Sequence, residues 1–542
     1  MSFSSMYVGA TGVKAHGDNM QVVGNNLANV STVGYKKADA QFGSLMSQQM
    51  VSGGAQYEGG AYSFSQIGKG VGISQIRNIF QEGGLENTNE VTDLAITGEG
   101  FFGVRKATGT GSVGAGASHF TRAGAFRFNN EAYLVDPHDY RLQGYAIDRD
   151  TGETSGTMSD VQLPYEDVVG PNGQTTRWVR SEPKITSSVE MITTLDALSA
   201  DRFQSGTDPM FSMLESYDGQ ADSPTPFGAT APGYSSTLAV YDADGNKRDM
   251  TVYFDPISST QMSNAAPGYT YWEYLVTMPG ESDGSAAFGT SGAGLAGMGV
   301  MVFNGQGELI NHSAYELNLS SGASGKSLSS WTPATFSEEG VPQLSYNFGS
   351  NGSAVGTTQS ISYDFGINSG SASWETGGAS NAGAIGRNAD NLSTLADLQR
   401  DIKASTSFDA GSATVYQNQD GYSWGYLQTT SVNREGVLSG FFSNGQTEDF
   451  YRVGVYRFNS EWGLRRDGNN NFVSTTASGD PIAGVGNSEG RGTVQQNTLE
   501  MSNVDMAEEF AKMILTQRGY QANTKVITTS DSLLNTTISI KK

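Results

Sequence analysis

Two glycine-containing stretches are spelled like loops that bind nucleotides. Gly98–Gly103 matches the glycine spacing of a dinucleotide-binding loop, and Gly325-Lys326-Ser327 matches the end of a phosphate-binding loop. A dinucleotide loop must open a helix whose amides face the pyrophosphate, but Gly100 is followed by two phenylalanines. We therefore predict a β-turn that presents aromatic side chains to a core at Gly98–Gly103, and no nucleotide site at either stretch.

A third stretch has part of the spacing of a calcium-binding loop. Asp242, Asp244 and Asn246 occupy its first, third and fifth positions. Lys247 stands where the loop needs glycine, and Tyr253 stands where it needs a bidentate glutamate. A tight turn between two strands is the better interpretation.

Residues that could catalyse a reaction or bind a metal are sparse. The chain has no cysteine, so thiolate ligands, thiol nucleophiles and disulfides are absent. Its four histidines are not spaced as ligands of one site; they are His16, His119, His138 and His312. We predict no catalytic, cofactor-binding or metal-binding residues and no enzyme activity, although a site assembled from residues distant in the chain stays open at this stage.

Composition indicates several β-rich modules with an acidic surface. The 542 residues include 70 glycines, 24 tyrosines and 25 phenylalanines, and the net charge is −23. Residues 1–30 sum to zero and residues 501–542 to +1, so the acid lies in the middle of the chain. Such a surface repels nucleic acid and anionic lipid. No apolar run spans a bilayer, and Met1–Val30 lacks the features of a secretory signal peptide, so we expect no membrane insertion and an unconventional export route.

The last stretch, Ser502–Ile540, is predicted to form one long helix. Ser502 and Asp505 have the spacing of a capping box at its start. Apolar residues recur every seven positions, which is typical of a helix that packs along other helices. This row is Met506, Met513, Tyr520, Ile527 and Leu534. The second row has a polar centre and is predicted to leave one side of the helix in water; it is Phe510, Gln517, Thr524, Asp531 and Ile538.

The N-terminus repeats this pattern over 25 residues. One row holds large apolar residues, namely Met6, Val13, Met20 and Leu27. The other is Phe3, Ala10, Gly17 and Gly24, whose mostly small side chains allow close backbone approach. Four interior glycines cost about 4 kcal/mol relative to alanine. We therefore predict that both terminal helices are disordered in the free chain and fold against each other and against neighbouring subunits.

The middle of the chain is predicted to be β-structure. Ser236–Tyr241 and Asp249–Phe254 are expected to be strands around a turn, and Tyr269–Met278 alternates like a third strand. Glycine, serine and alanine dominate Gly280–Gly299 and Gly349–Gly386, which we expect to be long surface loops.

Five short runs near the two ends form a specific signature. They are Asn25–Lys36, Asp93–Phe102, Phe120–Gly124, Leu499–Asp505 and Gln517–Asn523. Together they resemble the terminal signatures of bacterial flagellar rod and hook proteins. The resemblance covers roughly residues 1–147 and 410–542 and is looser between them. The large middle insertion is similar to the outer domain of hook proteins rather than to the shorter rod proteins.

The resemblance and the heptads together imply an α+β multidomain fold with helices paired in a coiled-coil-like inner domain. Residues 1–30 with 502–542 would form this terminal helical domain, and 31–70 a connecting segment. Residues 71–147 with 411–501 would form an inner β-rich domain, and 148–410 an outer β-rich region of one or two domains.

The function implied by the resemblance is that of a flagellar hook subunit. Such a subunit forms a curved helical tube that works as a flexible joint between motor and filament, outside the cell. Its implied partners are further copies of itself, the flagellar rod, the hook cap, the hook–filament junction proteins and the flagellar export apparatus. The two terminal heptad sets would make the subunit contacts, and Gln517, Thr524 and Asp531 could face the channel of the tube.

Two alternatives remain at this stage. The chain could be a distal rod or another hook-associated component. From a different class, it could be a secreted β-rich adhesin or binding module whose terminal helices form a closed oligomer.

Overall fold

The computed structural model divides the chain into two compact units. The first unit combines residues 1–180 with 426–542, and the second is Ser181–Gly425. The structure describes residues 2–50, 65–106, 117–149, 151–169, 173, 175–221, 225–318, 325–350, 352–354 and 358–540. The finer four-part division predicted from the sequence stays a prediction.

The described α-helices lie mainly at the two ends of the chain. They are α1 Ser2–Ala28, α2 Ser212–Ser216 and α3 Met506–Ile540.

Strands make up most of the remaining regular structure. Up to the boundary of the second unit they are β1 Ala38–Ser44, β2 Gln48–Met50, β3 Ser65–Ile67, β4 Val71–Asn78, β5 Leu85–Asn87, β6 Leu94–Thr97, β7 Phe101–Lys106, β8 His119–Thr121, β9 Arg127–Phe128, β10 Leu134–Val135, β11 Tyr140–Ile147, β12 Thr154–Asp160, β13 Glu166–Val169, β14 Thr175–Trp178 and β15 Arg180–Ser181. In the second unit they are β16 Ser188–Asp196, β17 Tyr234–Tyr241, β18 Lys247–Ile257, β19 Thr270–Thr277, β20 Leu295–Phe303, β21 Leu309–Leu317, β22 Trp331–Pro333, β23 Thr335–Phe336, β24 Pro342–Tyr346, β25 Gly349–Ser350, β26 Ser353–Ala354, β27 Gln359–Asp364, β28 Ile367–Ser369, β29 Leu398–Arg400, β30 Thr406–Phe408 and β31 Ala413–Gln419. The final strands are β32 Gly425–Val432, β33 Val437–Phe442, β34 Thr447–Arg457, β35 Arg465–Arg466, β36 Asn471–Val473, β37 Ile482–Val485, β38 Thr493–Gln496 and β39 Thr498–Glu500.

The main sheet of the first unit joins strands from both ends of the chain. Its order is β32-β33-β34-β11-β7-β8-β36-β35. In this sheet β34 pairs antiparallel with β11, with Gly144 opposite Val453, and with β7, with Phe102 opposite Val455. The N-terminal third of the chain therefore cannot complete this sheet without the C-terminal fifth.

The turn between β6 and β7 confirms the interpretation of the first glycine motif. Gly98 and Gly100 have φ angles of 102° and 134°, which a glycine adopts without strain. Phe101 and Phe102 follow in β7 and are fully buried in the core. The glycines therefore shape a β-turn that presents aromatic side chains to the core.

Two six-stranded sheets of the second unit share an apolar core. One sheet is antiparallel in the order β17-β18-β19-β20-β21-β22, and the other runs β23-β24-β27-β16-β30. In the second sheet β16 pairs parallel with β27 and β30, and antiparallel with β31. All nine residues of β20 are buried, because apolar residues cover both faces of its sheet.

The predicted strands around residues 236–278 are confirmed as β17, β18 and β19. The turn between the first two has Gly245 at a φ of 75°, and Asp242 Oδ1 accepts hydrogen bonds from the amides of Asp244 and Asn246. Asp242 thus closes a hairpin, as the failed calcium spacing predicted.

The expectation of long loops in the glycine-rich stretches is wrong in part. Gly280–Gly299 includes the start of β20, and Gly349–Gly386 includes the buried strand β27. A Cβ on Gly297 would come within 2.3 Å of Leu344 Cδ1, and a Cβ on Gly299 within 2.4 Å of the Tyr274 hydroxyl. These glycines let neighbouring side chains approach a buried strand, so composition alone mistook them for loop residues.

The predicted start of the C-terminal helix is also corrected. The helix begins at Met506, and its cap is Asp505, whose Oδ1 accepts hydrogen bonds from the amides of Ala507 and Glu508 at 2.8 and 3.2 Å. The Ser502 hydroxyl instead accepts from the amide of Val504. Ser502–Val504 lies outside the helix, and Asn503 hydrogen-bonds to the neighbouring backbone, as described below.

Candidate subunit-packing site

The two terminal helices lie side by side and run antiparallel. At one end of the pair the Asn26 side chain donates to Glu509 Oε2 over 3.0 Å, and at the other end Gly9 lies against Ile527. The two ends of the chain, which the sequence predicted to pair, are therefore in contact.

Glycine allows close approach at two points of this contact. A Cβ on Gly12 would come within 2.4 Å of Asn523 Oδ1, and a Cβ on Gly519 would come within 2.6 Å of the His16 ring. Between them, Asn19 Nδ2 donates to Thr516 Oγ1 over 2.9 Å. The contact between α1 and α3 is thus built largely from small and polar side chains.

Asn26 is the best-connected residue of this contact. Its Nδ2 also donates to the Ala38 carbonyl over 2.8 Å, and its Oδ1 accepts from the Ala38 amide over 2.9 Å. Both Asn26 and its partner Glu509 are buried. Asn26 therefore fixes the register between α1, α3 and the first residue of β1.

The first turn of α3 carries a small ionic network. Lys37 Nζ lies 2.9 Å from Glu508 Oε2, and Lys512 Nζ lies 2.8 Å from Glu508 Oε1. Hydrogen bonds from Lys512 and Lys37 lower the pKa of Glu508 to about 2. This carboxylate stays ionised at any physiological pH and also opposes the helix dipole.

A buried ion cluster lies just before α3. Glu500 accepts hydrogen bonds from Lys36 Nζ at 2.5 Å, Arg122 Nη1 at 3.3 Å and the Gly83 amide at 2.9 Å. The Glu500 and Lys36 side chains are fully buried, and burial lowers the pKa of Lys36. Four segments distant in sequence therefore meet at one carboxylate.

Two further residues hold the backbone around this cluster. Gly34 has a φ of 67°, its amide donates to the Glu500 carbonyl over 2.7 Å, and a Cβ there would come within 2.4 Å of the Ala123 nitrogen. Asn503 accepts from the Lys37 amide over 2.7 Å and donates to the carbonyls of Ile79 and Gln81. Most of these residues lie in the signature runs described above.

On α1, none of the predicted packing residues with a described side chain is fully buried. Met6, Val13, Met20 and Leu27 are half-buried, and Ala10 is exposed. A Cβ added to Gly17 or Gly24 would meet nothing within 4 Å. The side chain of Phe3 lies outside the described residues.

On α3, the predicted residues divide into half-buried and exposed sets. Met513, Ile527 and Leu534 are half-buried, while the exposed ones are Met506, Phe510, Gln517, Tyr520, Thr524, Asp531 and Ile538. The buried positions of the helix are Glu509, Thr516 and Ser530. The role of both predicted sets in packing between subunits stays a prediction.

The buried polar residues of this region were not singled out from the sequence. Lys36 and Glu500 appeared only inside the signature runs. Lys36 and Glu500 are 464 positions apart, so no local sequence pattern reveals their pairing. Among the described residues, no group of three histidine, cysteine or acidic side chains could hold a metal ion, and no helix is long and apolar enough to cross a membrane.

Four family models match this chain along its length. They are "Flagella basal body rod protein" at residues 6–36, "Flagellar hook protein FlgE/F/G D1 domain" at 95–175, "Flagellar basal body protein FlaE D2 domain" at 215–422 and "Flagellar basal body rod FlgEFG protein C-terminal" at 495–540.

Characterised relatives match over their whole length. The chain is 28% identical to "Flagellar hook protein FlgE" of Borreliella burgdorferi over 541 residues, covering 99% of each. It is 26% identical to the protein of that name from Salmonella typhimurium over 544 residues, covering 100% of each. A solved structure, "Crystal structure of Helicobacter pylori flagellar hook protein FlgE2", aligns with a TM-score of 0.43 at 14% identity, covering 77% of this chain and 100% of that one. At that TM-score the alignment establishes no shared fold.

The terminal helices pair across the length of the chain, β-rich units lie between them, and family models match at both ends. Together these features define an axial protein of the bacterial flagellum. This is a family of structural proteins whose members assemble with copies of themselves. The chain belongs to its flagellar hook proteins and is a structural subunit of the extracellular hook. The full-length matches favour this function over the rod component and the secreted adhesin considered above.

Proposed function

We propose that the chain polymerises into a curved helical tube that acts as a flexible joint and transmits torque from the motor to the filament. In this tube α1 and α3 form the inner wall through coiled-coil-like packing between copies, and the β-rich units form the outer layers. The proposed partners are the flagellar rod at one end, the hook cap and the hook–filament junction proteins at the other, and the flagellar export apparatus.

One observation carries the proposal: α3 leaves many of its large apolar side chains in water. The exposed ones are Met506, Phe510, Ile514, Leu515, Tyr520, Val526, Leu533, Ile538 and Ile540. Meanwhile the buried positions of α3 are the polar residues Glu509, Thr516 and Ser530, of which the first two hydrogen-bond to Asn26 and Asn19 of α1. A helix that buries polar groups and exposes apolar ones is unstable alone and is completed by further helices.

The polar row of α3 suits a water-filled channel. Gln517, Thr524 and Asp531 are exposed and seven residues apart, so they follow one side of the helix. We propose that this side lines the channel through which unfolded chains pass.

The charge of the chain fits a joint that bends. The net charge is −23, and most of it lies outside the terminal helices. Like charges on neighbouring copies keep contacts between their outer surfaces weak, while apolar packing of the inner helices keeps the tube continuous.

Two aspartates placed on the exposed apolar face of α3 test the proposal. The variant Val526→Asp/Leu533→Asp changes two exposed residues seven positions apart, so the β-rich units should stay folded. We expect circular dichroism to show an unchanged β-signal and electron microscopy of assembly mixtures to show no tubes.

The matched control is Gln521→Asp/Thr528→Asp, which adds the same charge with the same spacing at exposed polar positions of α3. We expect this variant to assemble. Tubes formed as readily by the Val526/Leu533 variant as by the wild-type protein would refute the assignment of α3 to the inner wall.

A further inference from the structure

A groove lies in the first unit between α1 and the hairpin of β1 and β4, and its volume is about 530 Å³. Four residues of α1 line it at positions i, i+3, i+4 and i+7, so they share one side of the helix. They are Asp18, Gln21, Val22 and Asn25. The hairpin and β35 supply Ala38, Ile73, Ile76, Asn78 and Arg466. α1 and the hairpin therefore enclose a space that neither of them fills.

A β-bulge turns two isoleucines of β4 to the same face. The register between β1 and β4 shifts at Ser74, which is the extra residue of the bulge. Residues three apart on a regular strand point to opposite faces, but the extra residue puts Ile73 and Ile76 on one face. Both line the groove, and Ile76 is still 54% exposed. α1 therefore leaves part of this apolar face uncovered.

α3 has an apolar side that is exposed in the single chain. Its residues follow one another at intervals of seven, four and seven, so they lie along one side of the helix. They are Leu515, Ala522, Val526 and Leu533, and Leu515 is 67% exposed. At 3.6 residues per turn, this side and the polar row of α3 lie on opposite flanks of the line that contacts α1. The apolar side is therefore available to a partner even when the polar row faces water.

The charged side chains of the two surfaces are complementary. Arg518 and Lys525 form a cationic edge beside the apolar side of α3, and Asp18 lines the groove. None of these three side chains has a hydrogen bond or an ion pair with any residue that the structure describes. The guanidinium of Arg466 is turned to the Tyr35 ring and donates to its hydroxyl over 3.1 Å. Asp18 is therefore the ionic group of the groove that is free to pair with an incoming cation.

The α3 of the same chain does not reach this groove. It contacts a different side of α1, where Asn19 donates to Thr516 and where Gly12 lies against Asn523. We propose that the groove receives the apolar side of α3 from a second copy of this chain, with Asp18 facing the cationic edge. This contact rests on the proposed function and adds to it the surface that receives α3.

Engineered cysteines test the contact, because the chain has no cysteine of its own. Chains with Ile76→Cys in the groove and chains with Ala522→Cys on α3 are mixed in equal amounts, assembled and mildly oxidised. A tag on one of the two chains identifies the mixed dimers on a non-reducing gel, and these dimers can form only between copies. The matched control replaces Ile76→Cys by Gln75→Cys, at the neighbouring exposed residue on the opposite face of β4.

We expect at least about tenfold more mixed dimer with Ile76→Cys than with Gln75→Cys, because a disulfide needs its two Cα atoms within about 7 Å. Equal yields from the two positions would overturn the proposal.

Charge reversal tests the role of Asp18 separately. Asp18→Arg and Arg518→Asp/Lys525→Asp should each raise the protein concentration needed for assembly at least about tenfold, because like charges then meet in the groove. An equal mixture of the two variants should assemble near the wild-type concentration, since each groove can receive an α3 of opposite charge. The control is Glu153→Arg, which makes the same change at an exposed residue outside the groove and should assemble normally. Circular dichroism checks that each variant is folded.

Assembly of Asp18→Arg at the wild-type concentration would overturn the proposal, and so would a mixture that assembles no better than its two components. In both cases the tubes of the wild-type protein would still support the proposed function. Wild-type protein that forms no tubes would instead refute the proposed function and the contact together.

Discussion

Glu500 is the residue on which most of the buried charge in the first unit depends. It is a single carboxylate between Lys36 and Arg122, both of which are buried. Removing it leaves two cations in the protein interior, where an unpaired charge is far more costly than in water. The effect of losing Glu500 should therefore exceed that of losing any exposed ion pair.

We predict that Glu500→Ala lowers the free energy of unfolding of the first unit by about 3 to 5 kcal/mol, the usual cost of breaking a buried ion pair. Urea unfolding followed by circular dichroism measures the change. The control is Glu435→Ala, which removes an exposed partner of Arg452. It should change the free energy by less than about 1 kcal/mol. Equal effects of the two substitutions would mean that the cluster does not stabilise the unit.

Asp255 gives the second unit a pH-dependent contribution to stability. It is fully buried and accepts hydrogen bonds from the amides of Gly233 and Arg202 at 2.8 and 2.9 Å. Burial nevertheless raises the pKa of Asp255 to about 6, against about 4 in an unfolded chain. Between these pH values the folded chain holds a proton that the unfolded chain has released. The resulting stability is fully present below about pH 4 and is lost as the pH rises through about 6.

We predict that Asp255→Asn removes this dependence. The stability advantage of wild type over this variant should grow by about 2 to 3 kcal/mol as the pH falls from 7 to 4. Urea unfolding of the full chain at several pH values measures it. Asp249→Asn, at an exposed residue beside Lys247, is the control and should show no such trend. An advantage that shrinks toward acidic pH would contradict the assignment.

At the scale of the helices, α1 has one face that contacts α3 and another that has open space beside it. The face with Gly12, His16 and Asn26 contacts α3. The face with Gly17 and Gly24 has open space where a side chain would stand. Of the two predicted rows, the one with Gly17 and Gly24 follows this open face, and we predict that it contacts other copies.

We predict that Gly17→Leu leaves the fold of the single chain unchanged and blocks assembly, because a large side chain would stand where a neighbouring helix packs. Gly17→Ala adds only one methyl group and should assemble. Electron microscopy and sedimentation of assembly mixtures measure both. Normal tubes formed by Gly17→Leu would remove Gly17 from the subunit contact.

The sequence predicted the existence of both terminal helices because seven-residue rows are a local pattern. It could not predict which face pairs within the chain, because Gly12 and Asn26 matter through Asn523 and Glu509, about 500 residues away. The start of α3 was misplaced because Ser502 and Asp505 both have capping side chains, and only the contacts of Asn503 decide between them. Of the candidate site, the pairing of the two terminal helices was predictable and the buried polar contacts were not.

At the scale of the whole molecule, the two ends of the second unit are far apart in sequence but close in space. Within the second unit, Lys184 and Tyr422 exchange both backbone hydrogen bonds at 3.0 Å. Within the first unit, the Leu427 amide donates to the Val179 carbonyl over 3.1 Å. In each unit, the residues just before and just after the two boundary positions are therefore hydrogen-bonded to each other.

We predict that replacing Ser181–Gly425 by a linker of two to four glycines, about the length of a tight turn, leaves the first unit folded. Hydrogen exchange should show the same protection of β7, β11 and β34 as in the full chain. The shortened chain should still form tubes, since α1 and α3 are retained. Loss of protection in β34 would show that the first unit depends on the second.

The buried pairing of Lys36 with Glu500 also limits how early this part of the chain can fold during synthesis. A ribosome adds about 5 to 20 residues per second, and the two residues are 464 positions apart. Lys36 therefore waits about 20 to 90 seconds after its synthesis before its carboxylate exists. During that time Lys36 and Arg122 lack the carboxylate that they share in the folded chain, so this buried cluster cannot form until synthesis is nearly complete.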